Sequence, residues 1–144
     1  MSYYTASGSL RWPEPGPSDV PSYQLSAIPW MTSSTAPNGS VMEISFPNTT
    51  RWIEFLNTSN AAIRVGFSEN GVNANPASNA HYFTVPATTS GTQTTRWELR
   101  CSKLYLRGEG ASATFSLAAG LSAVPSRYFD AMSGSLGGVY GGIG

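Results

Sequence analysis

The 144-residue chain carries eight Lys and Arg against eight Asp and Glu, and charged residues make up only 11% of it, against about 25% in an ordinary soluble domain. That length suits one domain with a sizeable core. A neutral chain lacks the cationic excess that phosphate neutralisation needs, which argues against nucleic acid as a partner, and its one cysteine, Cys101, excludes an intramolecular disulfide and a cysteine metal cluster.

Residues 1–22 read as a Pro-rich extended arm. Pro13, Pro15, Pro17 and Pro21 favour extended backbone and cannot join a central ladder. Tyr3, Tyr4, Leu10 and Trp12 are too apolar for a simple solvated linker. An arm that binds something and a disordered leader both remain open. The first residues have no basic region and no apolar core, so they do not read as a secretory signal. The chain has no apolar run of the roughly 18 residues that a membrane-spanning helix needs.

Strand patterns then recur at short intervals. The first is placed at Tyr23 to Trp30, followed by a loop from Met31 to Ser40 that turns at Pro37-Asn38-Gly39. Val41 to Phe46 is the second, with Met42, Ile44 and Phe46 on one face. Arg51 to Leu56 is the third, with Trp52 and Leu56 opposite Ile53 and Phe55. Ile63 to Ser68 is the fourth, with Ile63, Val65 and Phe67 inward. A long polar loop is expected from Glu69 to Ala80. His81 to Val85 is the fifth, with Phe83 and Val85 inward.

The best-patterned stretch runs from Thr94 to Arg107. Thr95, Trp97, Leu99 and Cys101 alternate with Arg96, Glu98 and Arg100, as in a strand with one face on a core and one in water. A second short strand follows from Lys103 to Arg107. Half of the eight cations sit here, namely Arg96, Arg100, Lys103 and Arg107. A core strand with a solvated basic face and a small basic patch are both compatible with this. Cys101 falls on the inward face and is expected to be a buried thiol. Ala111 to Ala119 is the eighth strand, with Ala113, Phe115, Leu117 and Ala119 on one side.

Eight strands with almost no helical pattern predict an all-β fold, an eight-stranded antiparallel jelly-roll sandwich over residues 23–119. An immunoglobulin-like sandwich is the alternative. The expected core contains Ile44, Ile53, Phe55, Ile63, Val65, Phe67, Phe83, Val85, Trp97, Leu99, Phe115 and Leu117. Residues 120–144 form a C-terminal Gly-rich tail, in which Leu136, Val139, Tyr140 and Ile143 are set among glycines that allow close approach to another chain. Docking against a neighbour and disorder are both open for it. Because eight is an even number of alternating strands, the first should begin where the last ends.

Chemistry is sparse. The single histidine, His81, cannot build a histidine metal site alone. There is no nucleophile elbow and no P-loop. Glu43, Glu54 and Glu98 lie on different strands, and the Glu69-Asn-Gly-Val-Asn stretch carries too little charge for a calcium loop. Asn38, Asn48 and Asn57 begin glycosylation-type triplets that turn chemistry also explains. The four tryptophans do not line up on one outward face.

Ile63-Arg-Val-Gly-Phe-Ser-Glu-Asn-Gly-Val, Arg96-Trp-Glu-Leu-Arg-Cys-Ser-Lys-Leu-Tyr-Leu-Arg, Phe115-Ser-Leu-Ala-Ala-Gly-Leu-Ser-Ala-Val-Pro and the Gly-rich end occur in this order. Together they resemble the single jelly-roll penton proteins at the capsid vertices of large icosahedral nucleocytoplasmic DNA viruses, such as those of algae. The resemblance implies a structural virion protein forming a homopentamer at each five-fold vertex and touching neighbouring major and minor capsid proteins. It implies assembly in the host cytoplasm and neither membrane insertion nor nucleic-acid binding. No enzymatic activity, catalytic residue, metal or other cofactor comes with it. In that setting Trp12, Leu136, Val139, Tyr140 and Ile143 are the candidate capsid contacts. The competing class is a β-sandwich binding module, either carbohydrate-binding or a virion decoration protein.

Overall fold

A computed structural model describes residues 27–73, 80–90 and 95–127. Within them lie β1 (Ile28–Ala36), β2 (Met42–Ser45), β3 (Asn48–Asn57), β4 (Ala62–Gly66), a short helix α1 (Glu69–Asn73), β5 (Tyr82–Val85), a 3-10 turn (Thr88–Ser90), β6 (Thr95–Trp97), β7 (Lys103–Glu109) and β8 (Ala113–Pro125). The strands form two four-stranded sheets, ordered β1-β8-β3-β6 and β2-β7-β4-β5. Every neighbouring pair is antiparallel. The protein is therefore an all-β sandwich of two antiparallel sheets.

The pairing follows one rule. β1 lies beside β8, β2 beside β7, β3 beside β6 and β4 beside β5. The chain thus behaves as one long double ribbon whose halves pass together from sheet to sheet. The passage is visible where β2–β3 and β6–β7 cross. Ser45 pairs with Lys103, Phe46 N donates to Ser102 O, Thr50 N donates to Cys101 O, and Ile53 pairs with Trp97. β3 carries register shifts around Thr50 at this corner. The irregularity lets consecutive residues Thr49 and Thr50 both turn inward, which a regular strand forbids.

The core fills the space between the sheets. Ile53, Phe55, Phe115, Leu117 and Ala119 come from the first sheet, and Ile44, Ile63, Val65, Val85, Leu104 and Leu106 from the second. Phe55 and Phe115 stack at 5.2 Å between ring centroids. They sit diagonally on adjacent strands, since Phe55 opposes Leu117 and Asn57 opposes Phe115. Cys101 is buried as its place in the alternation requires.

Several expectations need correction. The stretch from Met31 to Ala36 is strand, not loop. This part of β1 carries little apolar signal, because its inward positions between Trp30 and Ala36 are only Thr32 and Ser34. The turn contracts to residues 37–41. Phe83 is not core: it is 52% exposed and packs edge-on against Trp97, with centroids 5.4 Å apart. β5 and β6 are the outer strands of different sheets, so this pair closes the side of the sandwich rather than its centre. Phe67, Trp97 and Leu99 are only partly buried against the core. The expected polar loop after β4 opens with helix α1. Ser68 Oγ accepts the Gly71 N–H at 3.0 Å as an N-cap, and Val72 anchors the turn in the interior. β8 continues past Ala119 to Pro125, because Leu121 and Val124 keep it buried. The alternation that runs on to Cys101 stops being regular strand after Trp97: β6 covers Thr95–Trp97, and Glu98 to Arg100 are irregular.

The two ends of the sandwich differ. At one end four turns touch one another. Asn38 N donates to Ser112 Oγ, Thr58 N to Thr114 O, and Thr88 N to Ser59 O. Gly110 supplies the left-handed backbone, φ 79°, that the β7–β8 turn needs. Behind them Asn57, fully buried, ties the β3–β4 turn to β5: its Nδ2 donates to Ala61 O and Pro86 O, and its Oδ1 accepts from Ser59 N and Oγ. At the other end Ile28 opposes Leu121, so β1 starts beside the last turns of β8.

Candidate functional site

The side chains singled out for chemistry fall apart in space. Arg96 lies on the first sheet and Lys103 on the second, because the chain changes sheet between them. The basic run in the sequence is therefore not one surface. Arg96 Nε donates to Glu98 Oε1 at 2.8 Å, and its guanidinium lies 4.8 Å from the Trp52 ring centre. Lys103 sits 3.5 Å from Glu43 on the outer face of the second sheet. Arg107 donates to Asn73 Oδ1 at 2.7 Å, which fastens the end of α1. Arg64 reaches Glu109 at 3.1 Å and lies over the Tyr82 ring.

The carboxylates divide likewise, Glu43 on β2 and Glu54 on β3 in opposite sheets. The Ser45 hydroxyl, donating at 2.8 Å, holds the Glu43 carboxyl below its usual range, with the Lys103 charge adding to the effect against partial desolvation. His81 is exposed just before β5, and its backbone N–H donates to Gly71 O. No cluster of metal-ligating side chains occurs among the described residues. No helix there is long and apolar enough to cross a membrane. Trp30 and Trp97 face inward at opposite margins of the first sheet, against Phe46 and Phe83, while Trp52 lies on its outer face, so the three form no common outward surface. Trp12, Leu136, Val139, Tyr140 and Ile143 lie outside the described residues.

What the fold does assemble is a shallow trough on the outer face of the first sheet, about 340 Å³ in volume, bordered by Met31, Ser33, Glu54, Leu56, Ser116 and Ala118. Its floor is β8, where outward positions are small. The rows are set by register: Met31, Ala118 and Glu54 stand side by side, then Ser33, Ser116 and Leu56. Next to them the Trp52 indole lies against Gly120, so closely that a Cβ at Gly120 would overlap it. The sequence marks this surface only faintly, because its walls come from β1, which carries no strong pattern. Met31 is 74% exposed at its rim. A shallow hollow walled by Met31 and Leu56, with Glu54 as its one carboxylate, is suited to burying a largely neutral surface. The chain matches no protein-family model, no curated protein and no solved structure.

Proposed function

We propose that the chain is a single jelly-roll structural protein of an icosahedral virion, five copies of which form the penton at each capsid vertex. The observation that carries this reading is the pairing of β1 with β8, β2 with β7, β3 with β6 and β4 with β5. A double ribbon folded over itself in that order supports a jelly-roll connectivity, the fold that the penton resemblance implies. A scarcity of charge, with much of it drawn into pairs such as Arg64–Glu109, Arg96–Glu98 and Lys103–Glu43, suits subunits packed tightly against neighbours. Five-fold closure requires a heterologous contact, in which two different patches meet around the ring. The chain ends then face the shell interior, and the turns around Asn38, Ser59, Thr88 and Ser112 form the outer tip.

Cryo-electron microscopy of the virion that carries the chain tests this. The expected result is density for five copies around each five-fold axis, with the four-turn end outermost. Density elsewhere on the shell, or a two-fold dimer, overturns it. A sandwich scattered over the particle surface would favour the second reading, a decoration or carbohydrate-binding module, for which the trough beside Trp52 would be the binding face.

A further inference from the structure

The four outer strands of the sandwich are protected very unequally. β6 has three residues and carries Arg96; β2 has four and carries Glu43; β5 has four. β1 has nine, Ile-Pro-Trp-Met-Thr-Ser-Ser-Thr-Ala, with no charge among them. Folded proteins blunt exposed edges with short strands, charges, prolines or bulges, because an open row of backbone donors and acceptors pairs with any strand that meets it; on β1 only Pro29, near its start, is such a device. β1 has an unbroken register against β8 from Ile28 to Ala36 and no bulge. Among the described residues none pairs with its other side. Ile28 and Met31 are 52% and 74% exposed, so no side chain covers them.

We propose that the outer edge of β1 accepts an extended, uncharged segment of another protein chain as a fifth strand of the first sheet. Two features set which backbone groups it uses. Pro29 has no N–H to give to β8, and proline is tolerated in a strand where that position faces away from the ladder. The Ser33 and Ser116 hydroxyls meet at 2.9 Å, the close approach of a pair without mutual backbone bonds. Both place the N–H and C=O groups of Met31, Ser33 and Thr35 on the open side. Strand addition draws affinity from such main-chain bonds and specificity from alternate side chains. Here one set of added side chains would extend the row of Met31, Ala118 and Glu54 along the trough. The absence of charge on β1 selects a neutral partner, since a charged strand would lose solvation with nothing to pair with it.

The test uses the full chain in solution, so it is independent of whether the virion reading holds. Amide exchange followed by NMR should find Met31, Ser33 and Thr35 exchanging fast while Thr32 and Ser34 are protected roughly a hundredfold or more by β8. The probe is an uncharged, capped peptide of alternating Thr and Val. Its addition should shift those three amides saturably and slow their exchange by roughly tenfold or more. The same peptide methylated at alternate backbone nitrogens should do neither. Three results overturn the proposal. Protection of the three amides in the isolated dilute chain would mean that the chain covers its own edge. Protection that rises with protein concentration alone would mean that a second copy covers it. No saturable shift at millimolar peptide would mean that the edge accepts no strand.

Discussion

Thr50 shows how much one buried hydroxyl can hold. Its Oγ1 donates to Leu99 O at 2.9 Å and accepts the Cys101 N–H at 3.0 Å. With its only proton committed, it can only accept from the Cys101 thiol at 3.4 Å. Replacement by Val keeps the shape and strands a buried N–H and C=O at the corner where the ribbon changes sheet. Thr50→Val should cost about 1–3 kcal/mol in urea unfolding. The thiol itself gives a pH signature. Burial pushes the Cys101 thiol up from its usual 9.0 to about 12. The native chain keeps a proton that the unfolded chain releases, so this contribution is complete below pH 9 and is lost as pH rises from there towards 12. Cys101→Ala should therefore lose stability less steeply than the parent over that window, and parallel slopes would refute the assignment. Native Cys101 should also react with thiol reagents only on unfolding.

Among the elements, β8 is the spine. It has thirteen residues, is paired on both flanks by β1 and β3, and contributes Phe115, Leu117, Ala119 and Leu121 to the core. Phe115 is 1% exposed and stacked on Phe55, so Phe115→Ala removes an aromatic pair as well as buried area. The expected loss is about 3–5 kcal/mol, read as a lower urea midpoint at unchanged slope. A loss under 1 kcal/mol would mean that the site collapses around the missing ring. Strands such as β4 and β8 were legible because strict alternation of bulky and polar residues leaves one register that buries the bulky set. Of β1 only Ile28–Trp30 was, because Thr32 and Ser34 give the middle of its inner face no apolar signal. Phe83 was misplaced for a related reason. Period two assigns it to a face, and it cannot say that the strand lies at the margin, where that face meets Trp97 instead of the core. Helix α1 was hidden by its shortness and by glycine, and only the Ser68 cap marked it. The trough was illegible because it depends on which strands become neighbours, and β1, β8 and β3 are far apart in sequence.

At the scale of the whole molecule, the order of the strands fixes where the chain ends go. Ile28 opposes Leu121 and Asn48 opposes Pro125, so the start of β1 and the end of β8 lie at one end of the sandwich. The turns around Asn38, Ser59, Thr88 and Ser112 close the opposite end by contacts among themselves. This is the parity that eight alternating strands demand, and it puts the four-turn end opposite the end where β1 begins and β8 finishes. The buried hydrophobic residues described run from Ala36 to Val124, within the two sheets and their turns. Deleting residues 1–22 or 134–144 should therefore leave cooperative unfolding intact, with a midpoint within a few degrees of the parent, since roughly 1 kcal/mol moves a domain of this size by only about 2–8 °C. If the chain is a vertex protein, the same deletions should sharply reduce its incorporation into particles, because Trp12 is lost with the first and Leu136, Val139, Tyr140 and Ile143 with the second. Calorimetry on the purified variants and quantification of the protein in purified particles separate the two effects. Folded variants that incorporate normally would remove the terminal segments from the capsid contact. Variants that fail to fold would instead make those segments part of the domain.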